Sequence, residues 1–437
     1  MTAEIARKLR QRWRRRLTSL PGRDRFWCYS REPRPDDPPQ GWKIHLSATL
    51  LSANEVFARV WPVLVRHDAW FKVAAHSDFL AQLNAGLTEF SQVGKFLTVY
   101  PRSTHEAVNL ARELHTATRG LPGPRIPFDE RYRKNGLVYY RYGSFRVVSK
   151  DAVAAGFITD PTGKAYRDRR GPGRAVPRWL DDPFKKPRFA DHGAHYGGPL
   201  APDYLPFRAV SQRGKGGVYE AVDLSVSPAR RVIIKEGRRH GETAWDGEDG
   251  YARIKREGFV LRALHRSGIS VPQVFGELNR DGNRYLVLEK IAGRSLIGRE
   301  KMQPPKHSWQ RALRVLEQLG GVLAQIHDGG WVWRDCKPSH IFLHRGTIRL
   351  IDFEGACRIN TRNVLPWGSP NYVPASARGK FQRRAGTWED DYALGVIVFQ
   401  FMAGEFPPLN SRRRRAFYRE SGCPDFLRAR IENLLRC

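Results

Sequence analysis

WVWRDCKPSHIFL, at 331–343, followed after a short turn by TIRLIDFEGA, at 347–356, settles the architecture of the C-terminal half. Asp335 and Asp352 lie 17 residues apart and bracket a hairpin. One aspartate beside a strand says little. An ordered series of charged residues on successive elements says more, and the flanking sequence supplies such a series.

Upstream, RGKGGVYEAVD (213–223) sets Gly214, Gly216 and Gly217 in a turn between strands, where backbone amides can approach a phosphate with no Cβ in the way. RRVIIKEG (230–237) is an apolar strand carrying Lys235, and YARIKREGFVLRAL (251–264) places Glu257 on a helix. Each has a bland reading alone, since glycine turns commonly join strands and a lone Lys or Glu is ordinarily surface charge.

Taken in order, these segments resemble a protein kinase over about 205–437, with an N-lobe at 205–290 and a C-lobe at 291–437. The resemblance implies that Gly214, Gly216 and Gly217 lie over the phosphates of ATP, while Lys235 holds the α- and β-phosphates and pairs with Glu257. Glu289, in YLVLEKIAG (285–293), falls in the strand and hinge behind the adenine. Asp335 accepts the substrate hydroxyl proton, Lys337 faces the γ-phosphate, Asp352 holds Mg2+, and His340 occupies the second magnesium position. GSPNYVPAS (368–376) looks like the substrate-side loop, and Asp391 in DDYALG like the buried brace of the catalytic loop.

Three positions depart from the kinase pattern: Tyr219 stands for the third loop glycine, Trp333 for the histidine before Arg334, and His340 for the magnesium-binding asparagine. Imidazole is a poorer ligand than oxygen for a hard cation. A pseudokinase serving as a peptide-binding platform is therefore the rival reading. Retention of Lys235, Glu257, Asp335, Lys337 and Asp352 together favours an active enzyme.

The N-terminal half is patterned as α+β. GWKIHLSAT (41–49), WFKVAA (70–75) and GKFLTVYPR (94–102) alternate with period two, whereas EAVNLARELHTA (106–117) repeats at helical spacing. Trp42, Ile44 and Leu46 define an apolar face, which turns Lys43, His45 and Ser47 away from the core. Lys72 lies between Phe71 and Val73, where desolvation lowers a lysine pKa; snorkelling to solvent is the ordinary alternative. Lys95, Tyr100, Arg102 and the Arg141 of LVYYRYGSF (137–145) can together build a pocket for a phosphate dianion. Lys95 and Tyr100 have opposite parity in a regular strand, so both face one site only if a turn intervenes.

These segments resemble, over roughly 25–190, the N-terminal lyase domain of class III lanthipeptide synthetases, which is related to bacterial phosphothreonine lyases. The resemblance implies elimination of phosphate from phosphoserine or phosphothreonine, with Lys72 taking the α-proton and His45 protonating the bridging oxygen. Arg141 and Arg102 would grip the phosphate, with Tyr100 and Lys95 beside it. The expected fold is an α+β, phosphothreonine-lyase-like domain followed by a bilobal kinase-like domain. The expected boundaries are a basic segment at 1–24, the lyase at 25–150, a Pro/Gly-rich linker or wrapping segment at 151–204, and the kinase at 205–437.

Composition bounds the alternatives. The chain has 437 residues, 75 Lys and Arg against 44 acids, and a net charge of +31, which suits phosphorylated or acidic partners. No nucleic-acid motif accompanies the charge or the Arg412–Arg415 run, so nucleic acid is not an expected partner. Five cysteines without CxxC pairing point to a reducing cytoplasm. The longest apolar run, 392–403, falls short of the roughly 20 residues a membrane helix needs, so it reads as a buried helix and no membrane partner is expected.

The expected cofactors are ATP and Mg2+. The family usually ends in a zinc cyclase, but no Cys or His at zinc spacing follows Ala403, so no zinc is expected. The expected partner is a precursor peptide with a leader, acidic in many such peptides. Either a separate cyclase or other tailoring enzyme acts later, or the product keeps its dehydroamino acids.

Overall fold

A computed structural model of the chain describes residues 2–145, 156–173, 175–184, 200–297 and 308–436. The HYGG segment of the Pro/Gly-rich stretch lies outside the described residues. Packing divides the chain into two compact units: residues 1–219 with 236–252 and 279–284, and residues 220–235, 253–278 and 285–437.

The first unit contains helices α1 (Thr2–Arg16), α2 (Ala53–Arg66), α3 (Ser77–Ala85) and α4 (Thr104–Ala117). Its strands are β1 (Gly22–Arg23), β2 (Trp27–Tyr29), β3 (Gln40–Leu46), β4 (Phe71–Ala74), β5 (Leu97–Val99), β6 (Glu130–Arg131) and β7 (Val138–Ser144). They form one sheet in the order β1-β2-β4-β5-β3-β7-β6, with antiparallel pairing.

Period two decides which side of this sheet meets which environment. Ile44 and Leu46 of β3, with Phe71, Val73, Leu97 and Val99, pack against Phe57, Val60 and Leu64 of α2 and Leu110 and Leu114 of α4. The basic N-terminal segment joins that core through Trp13 and Leu17, and the Trp13 indole donates to the Ala74 carbonyl at 3.1 Å.

The opposite face is polar yet also buried. Lys43, His45, Ser47, Thr98 and Arg141 are all shielded from solvent. Part of the cover comes from the stretch after residue 155, where β8 (Phe157–Thr159) and β9 (Ala165–Arg167) form a hairpin and Asp168 returns to Arg141. Tyr142 N–H donates to the Ala175 carbonyl at 2.7 Å, and on the apolar face the same stretch sends Phe184 to pack on Trp42.

Beyond β9 come β10 (Tyr204–Arg213), β11 (Gly216–Asp223), β12 (Arg230–Gly237), β13 (Val274–Arg280) and β14 (Asn283–Glu289), in the sheet order β10-β11-β12-β14-β13. The second unit adds α5 (Gly250–Arg266) for most of its length, β15 (Arg294–Ser295), α6 (Trp309–Asp328), β16 (Trp331–Val332), β17 (Ile341–His344) and β18 (Thr347–Leu350). It ends in α7 (Trp388–Ala403), α8 (Ser411–Glu420) and α9 (Asp425–Leu434).

β17 and β18 are the hairpin expected between the two aspartates. Residues 392–403 are buried along the whole of that run in α7, whose Ile397 and Phe401 share a core with Leu319, Leu323 and Ile326 of α6. Among the described residues, no helix is long and apolar enough to cross a membrane.

Candidate active sites

The polar face of the N-terminal sheet assembles the first site. His45 lies on β3 opposite Thr98 of β5, and Thr98 lies opposite Lys72 of β4, so the three share one face. Lys43 pairs in register with Arg141 of β7 and faces the same side.

His45 Nδ1 is 2.6 Å from Asp129 Oδ2, and Lys95 Nζ is 3.3 Å from the other carboxylate oxygen. Arg141 is held by Asp168. Among the described residues Lys43 has no salt bridge, and its ammonium lies 6.0 Å from the centre of the Tyr100 ring.

Electrostatics follow from that burial. Desolvation pulls Lys43 down to about 7, opposed by the charge of Asp168 and helped by the nearby Arg141. Lys95 falls to about 8 from the same cause, opposed by Asp129. Burial works against ionised Asp129, yet Lys95 and His45 hold it at about 2. Desolvation and then Lys95 drive His45 down to about 3, so its imidazole is neutral in the free enzyme. Burial pushes the Tyr100 phenol up, leaving it a hydrogen-bond donor.

Four of the residues singled out from the sequence, His45, Lys95, Tyr100 and Arg141, therefore meet within or beside one buried cationic cluster. Lys95 reaches it because it lies before β5, in the turn opened by Gly94 at φ +77°, so strand parity does not bind it. Lys72 shares the sheet face, about 10 Å from His45 across one intervening strand. Its ammonium stands 4.2 Å from the centre of the Trp27 ring. Arg102 is not in the cluster: it pairs with Glu106 at 2.9 Å and donates to the His67 carbonyl at 2.9 Å. Lys43, Asp129 and Asp168 were not singled out from the sequence. Lys43 was within reach, since it shares parity with His45.

A buried lysine with no salt bridge among the described residues costs stability that an apolar side chain would not. Lys43→Met should raise the melting temperature, with a gain of about 1–3 kcal/mol. Below pH 7 both folded and unfolded Lys43 carry a proton, and the penalty is full. Between pH 7 and about 10.4 the unfolded chain retains the proton that the folded one has released, so wild-type stability rises with pH and the mutant's advantage shrinks. Thermal melts across pH 6–10 check this; an advantage that does not change with pH would contradict the assignment.

The second site lies in the second unit. Lys235 Nζ donates to Glu257 Oε1 at 2.6 Å and to Asp352 Oδ1 at 2.9 Å, and Phe353 N–H donates to the same Glu257 oxygen at 3.0 Å. Asp352 and Glu257 raise the Lys235 pKa despite burial. Lys337 Nζ reaches both Asp335 Oδ2 and Ser369 Oγ at 2.9 Å. His340 Nδ1 lies 3.2 Å from the Asp335 carbonyl, and Nε2 lies 3.3 Å from Asp352 Oδ2. Asp335, His340 and Asp352 offer donor atoms within 4.8 Å of one another, a set that fits a divalent cation.

The departures from the kinase pattern acquire physical roles. The Trp333 indole donates to the Asp352 carbonyl at 3.0 Å and stacks on Phe353 at 5.4 Å. The Tyr219 hydroxyl donates to Glu236 at 3.1 Å, and its ring covers Gly217 so closely that a Cβ there would lie 2.3 Å from the phenol oxygen.

Other positions differ from expectation. The Gly214 amide is donated to the Ala85 carbonyl at 3.1 Å, and a Cβ at this position would collide with Asn84, so chain approach rather than phosphate accounts for that glycine. Gly216 passes against the Glu236 carbonyl. The Glu289 carboxylate is held by both terminal nitrogens of Arg349, at 2.6 and 2.8 Å.

The brace of the catalytic loop is Asp390, not Asp391. Asp390 is fully buried, accepts Trp333 N–H at 2.8 Å and Arg334 N–H at 2.7 Å, and lies 3.0 Å from His327 Nε2. The two neighbours look alike in sequence, and helix phase decides which one points at the loop.

Comparison with known proteins gives the class. Residues 2–194 match the family model of the RamC N-terminal domain, and residues 210–426 match that of the protein kinase domain. The chain thus consists of a RamC-type N-terminal domain followed by a protein kinase domain. Among individual proteins, it is 33% identical over 85% of its length to the probable SapB synthase of Streptomyces coelicolor, of which it covers 40%. It is 31% identical over 48% of its length to the serine/threonine-protein kinase pkn2 of Myxococcus xanthus, covering 26% of that protein. It is likewise 31% identical over 47% to PrkC of Bacillus subtilis, covering 31% of it. The chain spans less than half the length of these relatives.

Proposed function

We propose that the chain dehydrates Ser and Thr residues of a ribosomally made precursor peptide in two steps, phosphorylation by the kinase domain with ATP and Mg2+ and then elimination of phosphate by the N-terminal domain. The observation that carries this reading is the cluster of Lys43, Lys95 and Arg141 around His45, three buried cations against the two carboxylates of Asp129 and Asp168, an excess of positive charge that a phosphate would offset. The similarity to a probable SapB synthase supports a peptide substrate of the lanthipeptide type.

In the kinase domain Asp335 takes the hydroxyl proton, and Lys235, held by Glu257, steadies the nucleotide phosphates. Asp352 and His340 would hold the cation, which neutralises phosphate charge when bound. In the N-terminal domain Lys43, Lys95 and Arg141 receive the phosphate of the modified residue. Its negative charge then favours protonation of His45, which is neutral in the free enzyme. Because ionised Asp129 faces Nδ1, Nε2 is the atom left to deliver a proton to the leaving oxygen. Lys72 removes the α-proton, the Cα–Cβ double bond forms and the Cβ–O bond breaks.

A kinase domain that only binds peptide is the second reading, favoured by His340 alone. The Lys235–Glu257–Asp352 network speaks against it. The test is mass spectrometry of a candidate precursor incubated with the chain, ATP and Mg2+. The expected result is a loss of one water per modified residue. An unmodified peptide together with elimination from a supplied phosphopeptide would establish the platform reading.

A further inference from the structure

We propose that His340 and Asp352 form a nitrogen-ligated cation site that takes Mn2+ in preference to Mg2+. The inference rests on the kinase reading and deepens it.

Backbone geometry holds His340 in place. It ends the short turn Pro338–His340, where its N–H donates to the Lys337 carbonyl at 2.9 Å and its carbonyl accepts Ile351 N–H at 3.0 Å. The imidazole is thereby pinned between the loop of Asp335 and the residue preceding Asp352.

The ring's hydrogen bonds then select a tautomer. Nδ1 lies 3.2 Å from the Asp335 carbonyl, and since a carbonyl only accepts, Nδ1 carries the hydrogen. In the neutral ring this leaves the Nε2 lone pair directed toward Asp352 Oδ2, 3.3 Å away. Two acceptors at that distance repel unless a cation lies between them. Ligand bonds of about 2.1 Å place adjacent octahedral donors about 3 Å apart, so the spacing suits one ion held by both.

The arrangement also has outer support. Lys235 fixes the other oxygen of Asp352 at 2.9 Å, and the Asp335 carbonyl orients the imidazole, as such partners do around metal-binding histidines. Asp335 Oδ2 lies 3.4 Å from Nδ1 and is bound by Lys337, so the first carboxylate turns toward the lysine and the second toward the ion.

Ligand chemistry chooses the metal. Mg2+ demands oxygen and gains little from imidazole. Mn2+ shares the preference for carboxylate and phosphate oxygens but, as a first-row transition ion, also accepts a nitrogen donor. Replacing asparagine's oxygen by imidazole nitrogen therefore moves selectivity from Mg2+ toward Mn2+.

The experiment titrates the full chain, with a non-hydrolysable ATP analogue, using MnCl2 under competition by MgCl2. Electron spin echo spectroscopy of bound Mn2+ reads nitrogen coupling directly. Wild type should show an imidazole nitrogen signal, and His340→Asn should lose it and lower the Mn2+ over Mg2+ affinity ratio by about 10–100-fold. His340→Asp, an oxygen-donating second variant, should behave like His340→Asn. Nucleotide is present throughout, so adenine nitrogen cannot account for a difference. An identical nitrogen signal and affinity ratio in wild type and both variants would overturn the inference, as would failure of wild type to bind Mn2+. Peptide phosphorylation is measured in parallel. Nitrogen coupling with no phosphoryl transfer under either ion would support the site and refute the kinase reading. Equal transfer with both ions and no coupling would do the reverse.

Discussion

Asp335→Asn should abolish phosphorylation of the precursor, with a loss of about 10²–10⁴-fold or more, while elimination from a supplied phosphopeptide continues at the wild-type rate. The carboxylate is the group that can take the substrate hydroxyl proton, and Lys337 and Ser369 already orient it from two sides. An amide of the same shape can retain a hydrogen bond from Ser369 but is no base. It also loses its attraction for the Lys337 ammonium. The fold should survive, because the backbone of this loop is braced by Asp390 and not by Asp335. Mass spectrometry with ATP reads the first step, and phosphate release from a synthetic phosphopeptide reads the second. Undiminished phosphorylation in this variant would remove Asp335 from the chemistry.

The two sites were legible to different depths, for a physical reason. The strands at 40–46, 71–74 and 97–99 follow from local alternation, which sequence displays directly. That Lys235, Glu257 and Asp352 converge was legible only through resemblance, since no local pattern brings residues 235 and 352 together. Asp129 was invisible. It belongs to no periodic segment, and only the path of the chain between α4 and β6 carries it to His45. Asp168 was hidden in the same way, within a stretch read as linker or wrapping segment that returns to Arg141.

Period two also misled at one point. It assigned Lys43, His45 and Ser47 to the side away from the core, and that side is equally dry because later chain covers it. A sheet with both faces buried cannot be told from a half-solvated one by alternation when the second face is lined with polar residues. Arg102 shows the converse. An arginine next to a candidate tyrosine looked like a phosphate ligand, but the start of α4 offers it Glu106 one helical turn away.

The dryness of that second face gives the elimination step its sharpest test. His45→Ala should stall the reaction at intact phosphopeptide, lowering elimination by about 10²–10⁴-fold while phosphorylation proceeds. Asp129→Asn should stall it as well, though less completely, because Asp129 acts through the ring. It fixes the proton on Nδ1 and favours the imidazolium that forms as phosphate docks. A merely structural Asp129 would lower activity equally at every pH, whereas a positioning one should also move the pH profile of kcat/KM. The alanine variant of Lys72 decides the identity of the base. If Lys72→Ala also accumulates phosphopeptide and Lys43→Met weakens binding without lowering kcat to the same extent, the α-proton leaves to the lysine over Trp27. If Lys72→Ala eliminates phosphate at the wild-type rate while Lys43→Met does not, the base is the buried lysine two residues before His45. The strand at 71–74 would then serve the site only as its floor.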